Sequence, residues 1–143
     1  MLVVPTSQLA TPAFLLDLTA RQLDGTVAAN RYIMSATADL APLLDLHPAR
    51  LEVGWEKDAV RLRHLGRPAA LGVIVEDGRP PGGPGWAVFG DNVIDLLPGE
   101  ACLLTVESRG VAIQALPLLV TAWDLAPLVV FPKGPGREAE GGG

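Results

Sequence analysis

Phe89-Gly90-Asp91-Asn92-Val93-Ile94-Asp95-Leu96-Leu97-Pro98-Gly99-Glu100 is the stretch on which the fold turns. It reads as a strand end, an Asp-Asn turn, a short apolar run, and a Pro-Gly turn that launches a strand from Ala101 to Ser108. Pro98 presets its own backbone angle and Gly99 accepts positive φ, so Leu97 to Glu100 suits a type II turn. By itself the segment is a hairpin-like corner of an all-β domain.

Outward from this corner, short β-like runs alternate with turn signals, the pattern of a sandwich or barrel. Ala13 to Thr19 and Thr26 to Ser35 flank Asp24-Gly25, a strong short-range hairpin signal. Arg50 to Glu56 and Ala59 to Leu65 flank Lys57-Asp58. In the second of these, Val60 and Leu62 alternate with Arg61 and Arg63, giving one apolar and one wet face, with His64 continuing the wet face or edge. Ala69 to Glu76 carries Leu71, Val73 and Val75 on one side; Trp86 to Phe89 and Leu116 to Trp123 complete the set. Helical spacing is confined to Asp39 to Leu46, which Pro42 and Pro48 limit to a turn or two. No strand–helix alternation argues for a parallel sheet. The expected fold is therefore an immunoglobulin-like antiparallel β-sandwich of about 7–8 strands over residues 1–128. Residues 129–143 read as an extension, apolar at Leu128 to Phe131 and then a flexible Gly-rich tail.

Composition narrows the function classes. Charged residues make up 19% of the chain, below the quarter typical of soluble domains. Together with a mean hydropathy of +0.32, this suits a domain docked against neighbours, and equally an Ala- and Leu-rich proteome. A net charge of −5 opposes nucleic acid as a partner, since phosphates demand a cationic surface. Five of the eleven basic residues fall between Arg50 and Arg67, interleaved with Glu52, Glu56 and Asp58 as strand-face and loop charges. No apolar run of about eighteen residues is present to span a membrane. The N-terminus lacks the basic region of a signal peptide, and residue 1 is expected to lie inside a longer protein. Cys102 is the sole cysteine, so an internal disulfide is impossible; it reads as a small hydrophobe beside Leu104 and Val106. A lone cysteine fits a reducing compartment, and a cytoplasmic location is expected over secretion.

Residues capable of chemistry are scattered. His47 and His64 have neither a Cys pair nor a metal-ligand spacing, and no cofactor motif is present. Gly78 to Gly85 is a Pro/Gly loop without the Lys-Ser/Thr end of a phosphate cradle. Asp91, Asp95 and Glu100 cluster, but at turns: the Asp and Asn side chains are expected to bond their own backbone, and Glu100 to face water. No catalytic residue is assigned. Exposed aromatic faces can stack on a ligand ring, and Trp55 and Trp86 are the candidates for such a contact, with at least two of the three tryptophans expected in the core.

The corner segment resembles the Phe-Ser-Asp-Asn-(aromatic)-(aromatic)-Asp-Leu-Leu-Pro-Gly-Glu stretch of β-mannosidases and their relatives in glycoside hydrolase family two. There it belongs to the terminal immunoglobulin-like sandwich that follows the catalytic barrel. Phe89, Asp91, Asn92, Asp95, Pro98, Gly99 and Glu100 match; Gly90 stands where Ser is usual, and Val93 and Ile94 where aromatics are. A second feature, Leu23 to Ile33, is similar to a family strand that crosses a Gly turn into Asn-x-(Tyr/Phe), here Asn30 and Tyr32. The resemblance covers about Ala13 to Trp123. It implies a non-catalytic accessory domain whose partners are the catalytic barrel and other domains of the same polypeptide, with glycan a further candidate. The same residues leave open a carbohydrate-binding module, which predicts coplanar exposed aromatics. They also leave open a sandwich for adhesion or assembly through Leu128 to Phe131.

Overall fold

A computed structural model describes residues 12–25, 27–45 and 47–132. The chain divides into two compact units, Met1–His47 and Pro48–Gly143. The expected Gly-rich tail, from residue 134 on, lies outside the described residues.

The first unit holds an antiparallel hairpin of β1 (Ala13–Arg21) and β2 (Val27–Ser35), which among the described residues pair only with each other. Gly25, at φ +88°, donates its N–H to the Gln22 carbonyl and turns the chain where Asp24-Gly25 predicts it. Asp17 and Arg31 stand directly opposite across the ladder. The guanidinium meets both carboxylate oxygens, at 2.5 and 2.8 Å. These hydrogen bonds hold the Asp17 carboxyl below the ordinary carboxylate range. A 3₁₀ turn at Ala41–Asp45, with Leu43 buried, takes the place predicted for a turn or two of helix.

The second unit is a sandwich. One sheet contains β3 (Leu51–Glu56), β4 (Ala59–His64), β6 (Trp86–Phe89) and β8 (Ala101–Arg109), in the order β3-β4-β8-β6. The other contains β5 (Ala70–Asp77), β7 (Ile94–Leu96), β9 (Leu118–Ala122) and β10 (Leu125–Val130), in the order β10-β9-β5-β7. Every pairing is antiparallel. Apart from the short β7, this is the ABED and GFC arrangement of immunoglobulin sandwiches. The two inner faces meet in one core: Val60, Leu62, Phe89, Leu104 and Val106 from the first sheet, Ala70, Val73, Val75, Leu96, Leu118 and Val120 from the second. Each such Val or Leu removed from water contributes about 1.5–3 kcal/mol. Cys102 packs against this core, and burial pushes its thiol pKa up.

Four features depart from expectation. β7 is a strand in its own right, because its short apolar run finds a partner on β5. β10 continues to Val130, past the expected end of the sandwich, because Leu128, Val129 and Val130 pair with β9. His64 lies on the apolar face, fully buried, since positions 60, 62 and 64 of an alternating strand share one side. Two of the three tryptophans are exposed, Trp86 at 48% and Trp123 at 61%, and only Trp55 packs on the core. Trp86 opens an edge strand, and Trp123 occupies the β9–β10 turn, so neither can reach between the sheets.

Candidate functional site

The corner and one edge of the sandwich concentrate the polar side chains singled out from sequence, and they use them in opposite ways. At the corner, Gly99 has φ +82° and Glu100 donates its N–H to the Leu97 carbonyl at 3.0 Å, the predicted type II turn. The Glu100 carboxylate does not face water; it accepts the Leu97 N–H at 2.7 Å and closes the turn from the other side. The turn continues the β4–β8 ladder onto His64, whose N–H donates to the Glu100 carbonyl and whose carbonyl accepts the Gly99 N–H.

Asn92 and Asp95 reach across to β5. Asn92 accepts the Val75 N–H at 2.8 Å and donates to the Val75 carbonyl at 2.7 Å, so its amide imitates a neighbouring strand. Asp95 accepts the Gly72 N–H at 2.8 Å. Gly72, at φ +59°, sits where the β5–β7 register shifts, a bulge that only glycine enters without strain. Asp91 is exposed, and it and Val93 also take left-handed angles, φ +47° and +70°. For a β-branched valine that conformation is strained. Phe89 is buried in the core, and Pro98 is exposed. Gly90 has a local reason: a side chain there would collide with the Thr105 hydroxyl.

Beneath the turn, both ring nitrogens of His64 and both carboxylate oxygens of Asp124 are buried without hydrogen-bond partners among the described residues. Burial lowers the His64 pKa from its ordinary 6.5, against the raising pull of Asp124 and Glu100.

The other region is a cleft of about 440 Å³ where β3 and β10, the edge strands of the two sheets among the described residues, come together. Glu52, Gly54, Glu56, Arg61 and Arg63 line its side toward the outer face of β3 and β4; Val53, Trp55, Gln114, Val130 and Phe131 line the rest. In the ladder Glu52 faces Arg63 and Gly54 faces Arg61. The carboxylates of Glu52 and Glu56 lie 4.0 Å from the guanidinium groups of Arg63 and Arg61, longer than a hydrogen bond. Gly54 leaves a gap: a Cβ added there meets nothing within 4 Å. The N–H of Leu65 donates to the Arg50 carbonyl, which sets the alternation of the ladder. Val53 and Trp55 therefore turn their main-chain N–H and C=O groups toward the open edge. Gln114 is anchored through its Nε2 to the Lys57 carbonyl at 3.0 Å. The Trp55 Nε1–H is buried with no acceptor among the described residues.

A second hollow, about 520 Å³, is lined by Glu56, Arg61, Ala101, Cys102 and Leu103 and shares the Glu56–Arg61 pair with the cleft. Trp86 is not part of either; it lies on β6, at the opposite edge of the sheet from Trp55. Asn30 and Tyr32 are both exposed on the hairpin, where Asn30 donates to the Tyr32 hydroxyl at 2.7 Å. Sequence reasoning missed the cleft except for Trp55. The signal was available in part, as two Glu–Arg pairs around a glycine on paired strands.

Among the described residues, no group of three His, Cys, Asp or Glu side chains could hold a metal ion. No helix there is long and apolar enough to cross a membrane.

No family model matches the chain, and no curated protein does. A solved structure of the exo-β-D-glucosaminidase CsxA, from work on its inhibition by a glucosamine-configured castanospermine and an amino-australine analogue, shares the fold, with a TM-score of 0.61 and 19% sequence identity. The match covers 91% of this chain and 19% of that one, so the chain spans about a fifth of the length of its structural neighbour.

Proposed function

We propose that this chain is the accessory β-sandwich region of a β-mannosidase-like enzyme of glycoside hydrolase family two. In that reading it is non-catalytic and supports the catalytic barrel or the rim of its substrate cleft. One observation carries it: the fold recurs as a fifth of a larger sugar-cleaving polypeptide. The corner supports the same reading. Its family-like residues Asn92, Asp95 and Glu100 are committed to main-chain groups, so each has a structural reason to be what it is.

The chemistry agrees. Glycoside hydrolysis needs two carboxylates facing a sugar from opposite sides. Asp95 and Glu100, the corner's best candidates, are held by backbone N–H groups instead. β-linked mannose is the leading substrate of the parent enzyme on the corner motif, and a cytoplasmic location fits the lone Cys102.

The test begins with the reading frame upstream of Met1. A barrel with paired glutamates is expected there, and calorimetry of that barrel with this chain should show binding. A barrel that ignores the chain would sink the supporting role; an upstream frame without any barrel would sink the enzyme assignment as well.

A further inference from the structure

We infer that the β3–β10 cleft is a binding site for a neutral saccharide. The inference stands on the cleft alone and holds whether or not the parent protein is a glycosidase.

Charge argues for neutrality. Two carboxylates and two guanidinium groups line the cavity, so neither an anion nor a cation gains a net attraction there. Polarity argues for hydroxyl groups. At 4.0 Å the Glu52–Arg63 and Glu56–Arg61 pairs leave their hydrogen-bonding atoms free of each other. Carboxylates accept and guanidinium groups donate, each able to grip vicinal hydroxyls in a fork. The main-chain groups of Val53 and Trp55 add further donors and acceptors at the open edge. Shape argues for a ring with one apolar face: the cavity is lined by Trp55, which packs on the core, and by Phe131, which is 74% exposed. An exposed aromatic offers stacking area at small entropic cost. The volume lies within the range of small-molecule sites.

The same strand edge does not suit an added peptide strand, because Val130 and Phe131 stand against it, leaving a cavity where a strand needs a continuous track. The neighbouring hollow shares Glu56 and Arg61, so a ligand longer than one ring has a continuation across β4 toward Leu103.

Gly54 supplies the decisive variant. Its backbone is ordinary strand, without positive φ, and nothing occupies the space above it. Gly54→Val should fold at least as well as the parent, since valine favours strands, while filling the cavity. The full chain, labelled with ¹⁵N, would be titrated with neutral β-linked disaccharides of mannose, glucose and galactose. The expected result is a Kd on the order of 1 mM for at least one of them. Shifts should centre on Gly54, Trp55, Arg61, Gln114 and Phe131. Gly54→Val should weaken binding by more than about tenfold, and Phe131→Ala, an exposed truncation, by several-fold.

No shift with any disaccharide at about 20 mM, roughly twenty times that Kd, overturns the inference. So do shifts centred on Trp86 or Trp123, or unchanged binding in both variants. Tighter binding of an amino sugar or a uronic acid overturns the neutral class. If Gly54→Val fails to fold, Phe131→Ala decides the matter by the same criterion.

Discussion

The corner at Phe89 to Glu100 and the cleft beside β3 are equally rich in polar side chains, yet only one has chemistry to spare. At the corner, Asn92, Asp95 and Glu100 are each bound to a main-chain group of the same sandwich. In the cleft, Glu52 and Glu56 lie 4.0 Å from Arg63 and Arg61, too far for hydrogen bonds between them. A conspicuous motif can therefore be entirely structural, while ordinary Glu–Arg alternation on an edge strand can leave a site open.

Breaking the corner should be the costly experiment. Asn92→Ala removes two hydrogen bonds to β5 and strands the Val75 N–H and C=O, for an expected loss of about 2–3 kcal/mol. Urea unfolding would show it as a lower midpoint with an unchanged slope. A wild-type midpoint in this variant would mean that the corner is ornamental.

Acid offers the next test, because His64 lies directly under the corner's turn. Its pKa is lowered in the folded chain, so unfolding takes up a proton once the pH falls toward 6.5. The stability that neutral His64 contributes is present above that value and is lost as the pH falls below it. Unfolding free energies at several pH values should show this slope in the parent and not in His64→Leu. An equal slope in both would place the acid sensitivity elsewhere.

Gly90→Ser tests whether the departure from the family pattern is local. The hydroxyl of Thr105 must move, at a cost of about 1 kcal/mol, and Gly90→Ser with Thr105→Ala should recover most of it. Val93→Asn should instead gain a few tenths to about 1 kcal/mol, because Asn tolerates the left-handed angle that Val93 is forced into. The cleft gives the smallest effect. Arg61→Ala should shift stability by no more than about 0.5 kcal/mol, as an exposed, loosely paired arginine does. A larger loss would show that the cleft, like the corner, is structural.

Local chemistry was legible in the sequence and distant partnership was not. Pro98-Gly99 dictates its turn from adjacent residues, and the alternation of Val60 and Leu62 dictates which face of β4 is dry. The same alternation assigns His64 to the core, which its polarity hides. The partners of Asn92 and Asp95 lie 17 and 23 residues earlier, and no turn rule points to them. The cleft draws on β3, β4, Gln114 and the end of β10, four places that only the closed sandwich brings together. Exposure of Trp86 and Trp123 likewise depends on which strands become edges.

The pairing of β4 with β8 also has a consequence in time. Val60 meets Leu104, and Leu62 meets Cys102, so the strand that carries three fully buried residues, Val60, Leu62 and His64, waits for a partner made far later. At about 5–20 residues per second, that wait on the ribosome is roughly 2–9 s. Through it the nascent β3–β4 hairpin holds Val60 and Leu62 in water. The most exposed moment in the life of this core comes during translation, before β8 has left the exit tunnel.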